Sequence, residues 1–228
     1  MFRLNSRSNF SHADVLIFGL GYAALVFTFT YYATGFQDAF KAGFAVEDGP
    51  VEWVTAIALL IAALVLGRNT YALWRRGNGL LSITMMFLYA LAFFFAAGEE
   101  ISWGYRLFDM EASEFFRKNN AQGETNIHNL VLGDVKLVKT VFGSGLTVAI
   151  LIYLIAIPIA YNRCPRLTRI CNQAAVPIAD KRHVLMALAA TVVVASVNLP
   201  FKWEVYELVF SLLAMSIFLR PRNHEITT

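Results

Sequence analysis

Two polar motifs interrupt an otherwise apolar chain, and their residue types are those of metal and proton chemistry. The first, Ala97-Gly98-Glu99-Glu100-Ile101-Ser102-Trp103-Gly104, puts adjacent carboxylates at the end of a long apolar run. The second, Glu124-Thr125-Asn126-Ile127-His128-Asn129, begins 25 residues after Glu99. A charge at the centre of a membrane helix costs about 2.5–3.5 kcal/mol on insertion scales, so carboxylates at a membrane boundary usually have a partner or a task. Glu99, Glu100, Ser102 and Arg106 are the candidate catalytic residues, and Glu100, Glu124 and His128 the candidate ligands of a divalent metal. Asn126, Asn129 and Glu207 are the side chains that would support them. Mixed carboxylate and imidazole donors suit Zn, Fe or Mn and leave positions open for water and a substrate.

A chain equipped in this way would be a metal-assisted enzyme acting on a lipid or small amphiphile. One histidine is a thin supply, since di-metal carboxylate bundles carry Glu-x-x-His on two helices. Two other chemistries use the same residues. Ser102, His128 and a glutamate match the types of a nucleophile, base and orienter, although no strained elbow surrounds Ser102. The carboxylates with His128 also match a proton or cation relay of a transporter, although no charged residues continue it through the other half of the spans. A non-catalytic reading stands beside these. Glu99 or Glu100 pairs with Arg106, Glu124 opens a helix against its dipole, His128 bonds a carbonyl, and Asn126 and Asn129 cap turns. The cluster then staples a loop to the bundle, and the chain is an accessory or structural subunit of a larger membrane complex, or a homo-oligomer.

Geometry narrows the choice. If the helix carrying Glu99 runs on, Glu99, Ser102 and Arg106 share one face, while Glu100 points about 100° away. Both glutamates serve one site only where the helix ends or the loop folds back. Glu124 and His128, four apart, stack on one side of any helix that contains them. Glu204 and Glu207, with Ser211 one turn deeper, and Glu52 lie at the same depth, but helix adjacency in a bundle is not written in any local pattern.

The elements that must position these groups follow from composition. Of 228 residues 57% are hydrophobic and 15% charged, and the mean hydropathy is +0.55. The apolar residues come in blocks, which predicts an all-α, polytopic membrane bundle with spans near 15–33, 51–67, 80–98, 141–161, 184–197 and 203–219. Asn198-Leu199-Pro200 predicts a tight turn joining the last two spans as a hairpin. Arg3 and Arg7, Arg68, Arg75 and Arg76, then Arg163, Arg166, Arg169, Lys181 and Arg182, and finally Arg220 and Arg222 fall on one side. The other side carries Asp38, Glu47, Asp48, Glu52 and the motif-bearing loop. The positive-inside rule then puts both termini in the cytoplasm and the acidic motifs outside, periplasmic in a Gram-negative inner membrane. The net charge of +3 reflects this topology and calls for no nucleic-acid partner; the partner it calls for is the lipid bilayer. Cys164 and Cys171 lie in the basic loop at a spacing that fits no metal motif.

The connection 99–137 is too long and too patterned for a linker. Tyr105, Leu107, Phe108, Met110, Phe115 and Phe116 interleave with charged residues, predicting a short amphipathic helix in the interface, capped by Ser113 with Glu114 in its first turn. A second short element is expected to begin at Glu124. The whole reads as an outward lid.

The residues Gly98 to Gly104 with Arg106, followed by Gln122-Gly123-Glu124-Thr125-Asn126-Ile127-His128-Asn129, resemble a family of small bacterial integral membrane proteins to which no activity is assigned. The resemblance runs from the third span through the lid and implies the architecture alone. Tyr105 stands where that resemblance leads one to expect a glutamine.

Overall fold

The computed structural model describes residues 11–46, 49–105, 107–120, 123–132, 135–136 and 145–228. Arg3, Arg7, Glu47, Asp48, Arg106, Gln122 and the opening of the fourth span at 141–144 lie outside the described residues. The fold is all-α. Its main helices are α1 (His12–Thr34), α3 (Pro50–Arg75), α4 (Leu80–Glu100), α9 (Lys181–Ser196) and α10 (Lys202–Leu219). A further apolar helix is built from α6 (Leu146–Leu151), a π turn (Ile152–Ala156) and α7 (Ile157–Ala160). Short pieces complete it: α2 (Gln37–Ala39) with a π turn (Phe40–Phe44), α5 (Glu114–Asn119), α8 (Pro165–Gln173) and α11 (His224–Thr227). The one addition to the helices is a two-residue ribbon in which β1 (Val131–Leu132) pairs antiparallel with β2 (Val135–Lys136).

Local chemistry sets the helix ends. Ser11 opens α1 with a reciprocal capping box: its Oγ accepts from the Asp14 amide and its own amide donates to Asp14 Oδ2. Pro50 stands at the first turn of α3, where its missing N–H costs nothing. The α4 helix stops because Ser102 and Trp103 adopt left-handed backbone (φ 47° and 56°), which no continuing helix allows. Over its described residues each predicted span falls on a helix. By length and composition α1, α3 and α4 can each cross a membrane. The stretch 146–160 and α9 are shorter, and α10, at 18 residues, opens with Lys202, Glu204 and Glu207.

α10 is the axis of the bundle. It packs on α3, α1 and α9, and from Val205 to Phe218 it is buried at every residue except Glu207. In contrast, α4 lies at the edge against α3 and buries only Met86, Ala90, Ala97 and Glu99. Its remaining apolar side chains suit contact with lipid tails.

Cross-links between elements define two ends. At the basic end, Asp14 Oδ2 meets Arg220 Nη1 at 3.0 Å and Arg182 Nη1 at 3.2 Å. There also Asn69 Nδ2 donates to the Phe218 carbonyl and Ser82 Oγ to the Gln173 carbonyl. These bonds collect the starts of α1, α4 and α9 with the ends of α3 and α10. The opposite, acidic end therefore holds the start of α3 with Glu52, the end of α4 with Glu99 and Glu100, and the start of α10 with Glu204.

The lid departs from expectation after its first helix. α5 begins at Glu114 behind Ser113, as the pattern predicts, although the Ser113 side chain makes no capping bond, and residues 123–129 form turns instead of a second helix. Gly123 sits at φ 73°, and Glu124 and Asn126 are buried with their side chains bonded to the loop and to α4's end, which competes with helical backbone pairing.

Close approach of α1 to α9 depends on Gly21, where a Cβ would run into the Met186 terminal methyl. Gly21→Val should lower stability by about 1–3 kcal/mol through overpacking, read as a lower melting temperature in detergent. Gly19→Val, with nothing within 4 Å, should leave it unchanged.

Candidate functional site

The end of α4 sends its two glutamates to different partners. Glu99 is buried, and its Oε2 accepts from the backbone N–H of Ile127 at 2.6 Å and of His128 at 3.0 Å. Its Oε1 accepts from Trp103 Nε1 at 2.7 Å. The Trp103 ring reaches that position by lying on Gly98, where a Cβ would sit 2.8 Å from ring atoms. The left-handed backbone at 102–103 turns the ring back over α4.

Beside this, Ser102 Oγ donates to Glu124 Oε2 at 2.6 Å and accepts from Asn126 Nδ2 at 2.8 Å. Asn120 Nδ2 donates to both the carbonyl and the Oδ1 of Asn126. Asn126 Oδ1 also accepts from the Asn129 amide, closing a turn. His128 rests on the same network, with Nδ1 3.5 Å from Glu99 Oε2 and Nε2 3.1 Å from Asn129 Nδ2. Most of these donors and acceptors are buried and satisfied by one another, which makes a rigid clasp between the lid and the end of α4.

Glu100 belongs to a second cluster. Carboxylate oxygens of Glu100, Glu204 and Glu207 all lie within 4.8 Å of one another, drawn from the end of α4 and the first two turns of α10. Glu207 is the exposed interruption in the buried run of α10, about 7–8 Å from the helix start at 1.5 Å per residue. Two unit charges at this spacing repel by about 3–4 kcal/mol at an effective dielectric of about 20. Three carboxylates gathered so closely call for a cation, or for protons, among them.

The metal set expected from the sequence is thus divided between two clusters: Glu100 stands with Glu204 and Glu207, while Glu124, on Ser102, and His128, on Glu99 and Asn129, belong to the clasp. Glu99 bonds the lid backbone, and Asn126 and Asn129 bond the clasp. Among the described residues His128 is not a partner of Ser102, so the nucleophile and base arrangement is not assembled; Arg106 lies outside the described residues. Glu207, expected as a supporting side chain, stands in the carboxylate group itself. Glu204 and Glu207 were visible in sequence as a helix-start pair, but their nearness to Glu100 comes from the packing of α10. In the basic loop, Cys164 is exposed and Cys171 is buried in a small apolar cluster with Tyr161 and Ile178. Burial pushes the Cys171 thiol up, away from the reactive thiolate.

No family model, curated protein or solved structure matches the chain.

Because Glu99 and Glu100 have different partners, their variants should separate. Glu99→Ala strips the acceptor from three N–H groups and should cost about 1.5–3 kcal/mol. It should also speed limited proteolysis in 107–120. Glu100→Gln should leave proteolysis of the lid unchanged.

Proposed function

We propose that this is a multi-pass protein of a bacterial inner membrane that holds a divalent cation on Glu100, Glu204 and Glu207 at the outward face, and that it is a metal-assisted enzyme acting on a lipid or small amphiphile. The observation that carries this reading is the convergence of the three carboxylates where the end of α4 meets the start of α10. An all-oxygen donor set favours hard cations such as Mg²⁺, Mn²⁺ or Ca²⁺, in place of the zinc or iron that a histidine would bring. A bound cation of this kind polarises a carbonyl or phosphoryl oxygen of a substrate, or acidifies a bound water. The protein's own contribution is to keep the three acids together. The clasp on Glu99 holds the end of α4, and so holds Glu100 in register with α10.

The lid supports a substrate from the bilayer. Leu107, Phe108, Met110 and Phe115 are exposed, as are Trp103 and Ile127, and such a surface lies naturally in the interfacial layer where an amphiphile enters. The same surface supports the second reading, an accessory subunit that docks on a membrane partner. Transport is supported less well, because α10 is sealed from Leu208 to Phe218 below Glu207.

Titration of the purified protein with Mn²⁺, with free ion counted by electron paramagnetic resonance, tests the cation site. Saturable binding of about one ion per chain is expected, lost in Glu207→Gln and Glu100→Gln and retained in His128→Ala. Loss in His128→Ala with retention in Glu207→Gln would move the ion to the lid, and an absence of saturable binding with a co-purifying membrane protein would support the subunit.

A further inference from the structure

At the opposite end from the carboxylates, α3 and α4 border an open apolar groove. Gly67, Thr70, Tyr71 and Trp74 of α3 face Ile83, Thr84 and Phe87 of α4 across an open space of about 470 Å³. Gly67 faces this space: a Cβ there would meet nothing within 4 Å. From Gly67 to Trp74 the groove runs about 10 Å along the helix axis at 1.5 Å per residue.

The mouth of the groove is cationic. Gly67, Tyr71 and Arg75 recur at spacings of four, so they form one stripe and Arg75 stands one turn beyond the groove. Arg75 and Arg76 are both exposed, and among the described residues no carboxylate pairs with either. Tyr71 and Trp74 lie against each other, ring centroids 5.8 Å apart and planes tilted by 41°, near the end of the helix where aromatic residues mark the headgroup layer. The positive-inside rule accounts for arginines in this loop; it does not account for an open apolar slot running inward from them.

An occupant must therefore have an apolar chain and an anionic head, and it must come from the leaflet that α3 and α4 face. We propose that the groove binds an anionic phospholipid, with an acyl chain over Gly67 and the phosphate at Arg75 and Arg76. This site is independent of the carboxylate cluster at the other end of the bundle. It gives the lipid a structural or regulatory place on α4, the helix that carries Glu99 and Glu100.

Reconstitution into nanodiscs of equal parts phosphatidylglycerol and phosphatidylcholine, followed by native mass spectrometry of the released protein, tests the site. The wild-type chain should retain phosphatidylglycerol over phosphatidylcholine by about fivefold, the scale of one arginine at an anionic surface. Gly67→Leu fills the floor of the groove without a clash and should abolish retention of both. Thr84→Leu fills it from α4 and provides the same test should the first variant misfold. Arg75→Gln should keep a retained lipid but remove the preference. Equal retention by both filled variants, or no preference in the wild type, would overturn the proposal; an undiminished preference in Arg75→Gln would overturn the headgroup assignment.

Discussion

The end of α4 is where the structure meets its hardest constraint. A membrane bundle has little water to satisfy buried charge, and adjacent glutamates on a helix diverge by about 100°. Glu99 and Glu100 therefore cannot share a task unless something folds back over both. The left-handed turn at Ser102 and Trp103 supplies the fold-back for Glu99 alone. It lays the indole on Gly98 and brings the backbone of Ile127 and His128 onto the carboxylate. Glu100, released from that network, faces α10.

From this division follow two groups of different character at the acidic end. The clasp built from Glu99, Ser102, Asn120, Glu124 and Asn126 is satisfied by its own members, and such networks rigidify what they join. The carboxylate group of Glu100, Glu204 and Glu207 has the opposite character: like charges at close range, gathered where the end of α4 meets the start of α10. The basic end shows how the same fold treats charge with a structural purpose. There Asp14, Arg182 and Arg220 join the starts of α1 and α9 to the end of α10 by compact ion pairs. His183, fully buried, takes the Asp180 amide on Nδ1 and reaches Ser216 Oγ through Nε2 at 3.0 Å.

Much of the architecture could be read from the chain because apolar blocks of bilayer length have one outcome, and the start of α5 behind Ser113 and the α9–α10 hairpin followed from equally local signals. The carboxylate group could not be read in this way. Nothing in the spacing of Glu204 and Glu207 says which helix they face, and that is fixed by α10 becoming the buried axis. The pairing of Glu124 with His128 failed for a local reason: buried asparagines and Ser102 offered side-chain partners that outcompeted a helix through 124–128. Asp14 was equally hidden, since a lone acid at a helix start reads as a cap until Arg182 and Arg220 arrive from distant segments.

The claim that Glu99 holds the lid while Glu100 holds an ion is tested most directly by anomalous diffraction from crystals grown with Mn²⁺. The account predicts one anomalous peak about 2–2.5 Å from carboxylate oxygens of Glu100, Glu204 and Glu207, with Glu99 still bonded to the amides of Ile127 and His128. A peak on His128 or Glu124, or carboxylates of Glu100 and Glu207 drawn apart with no ion between them, would contradict it.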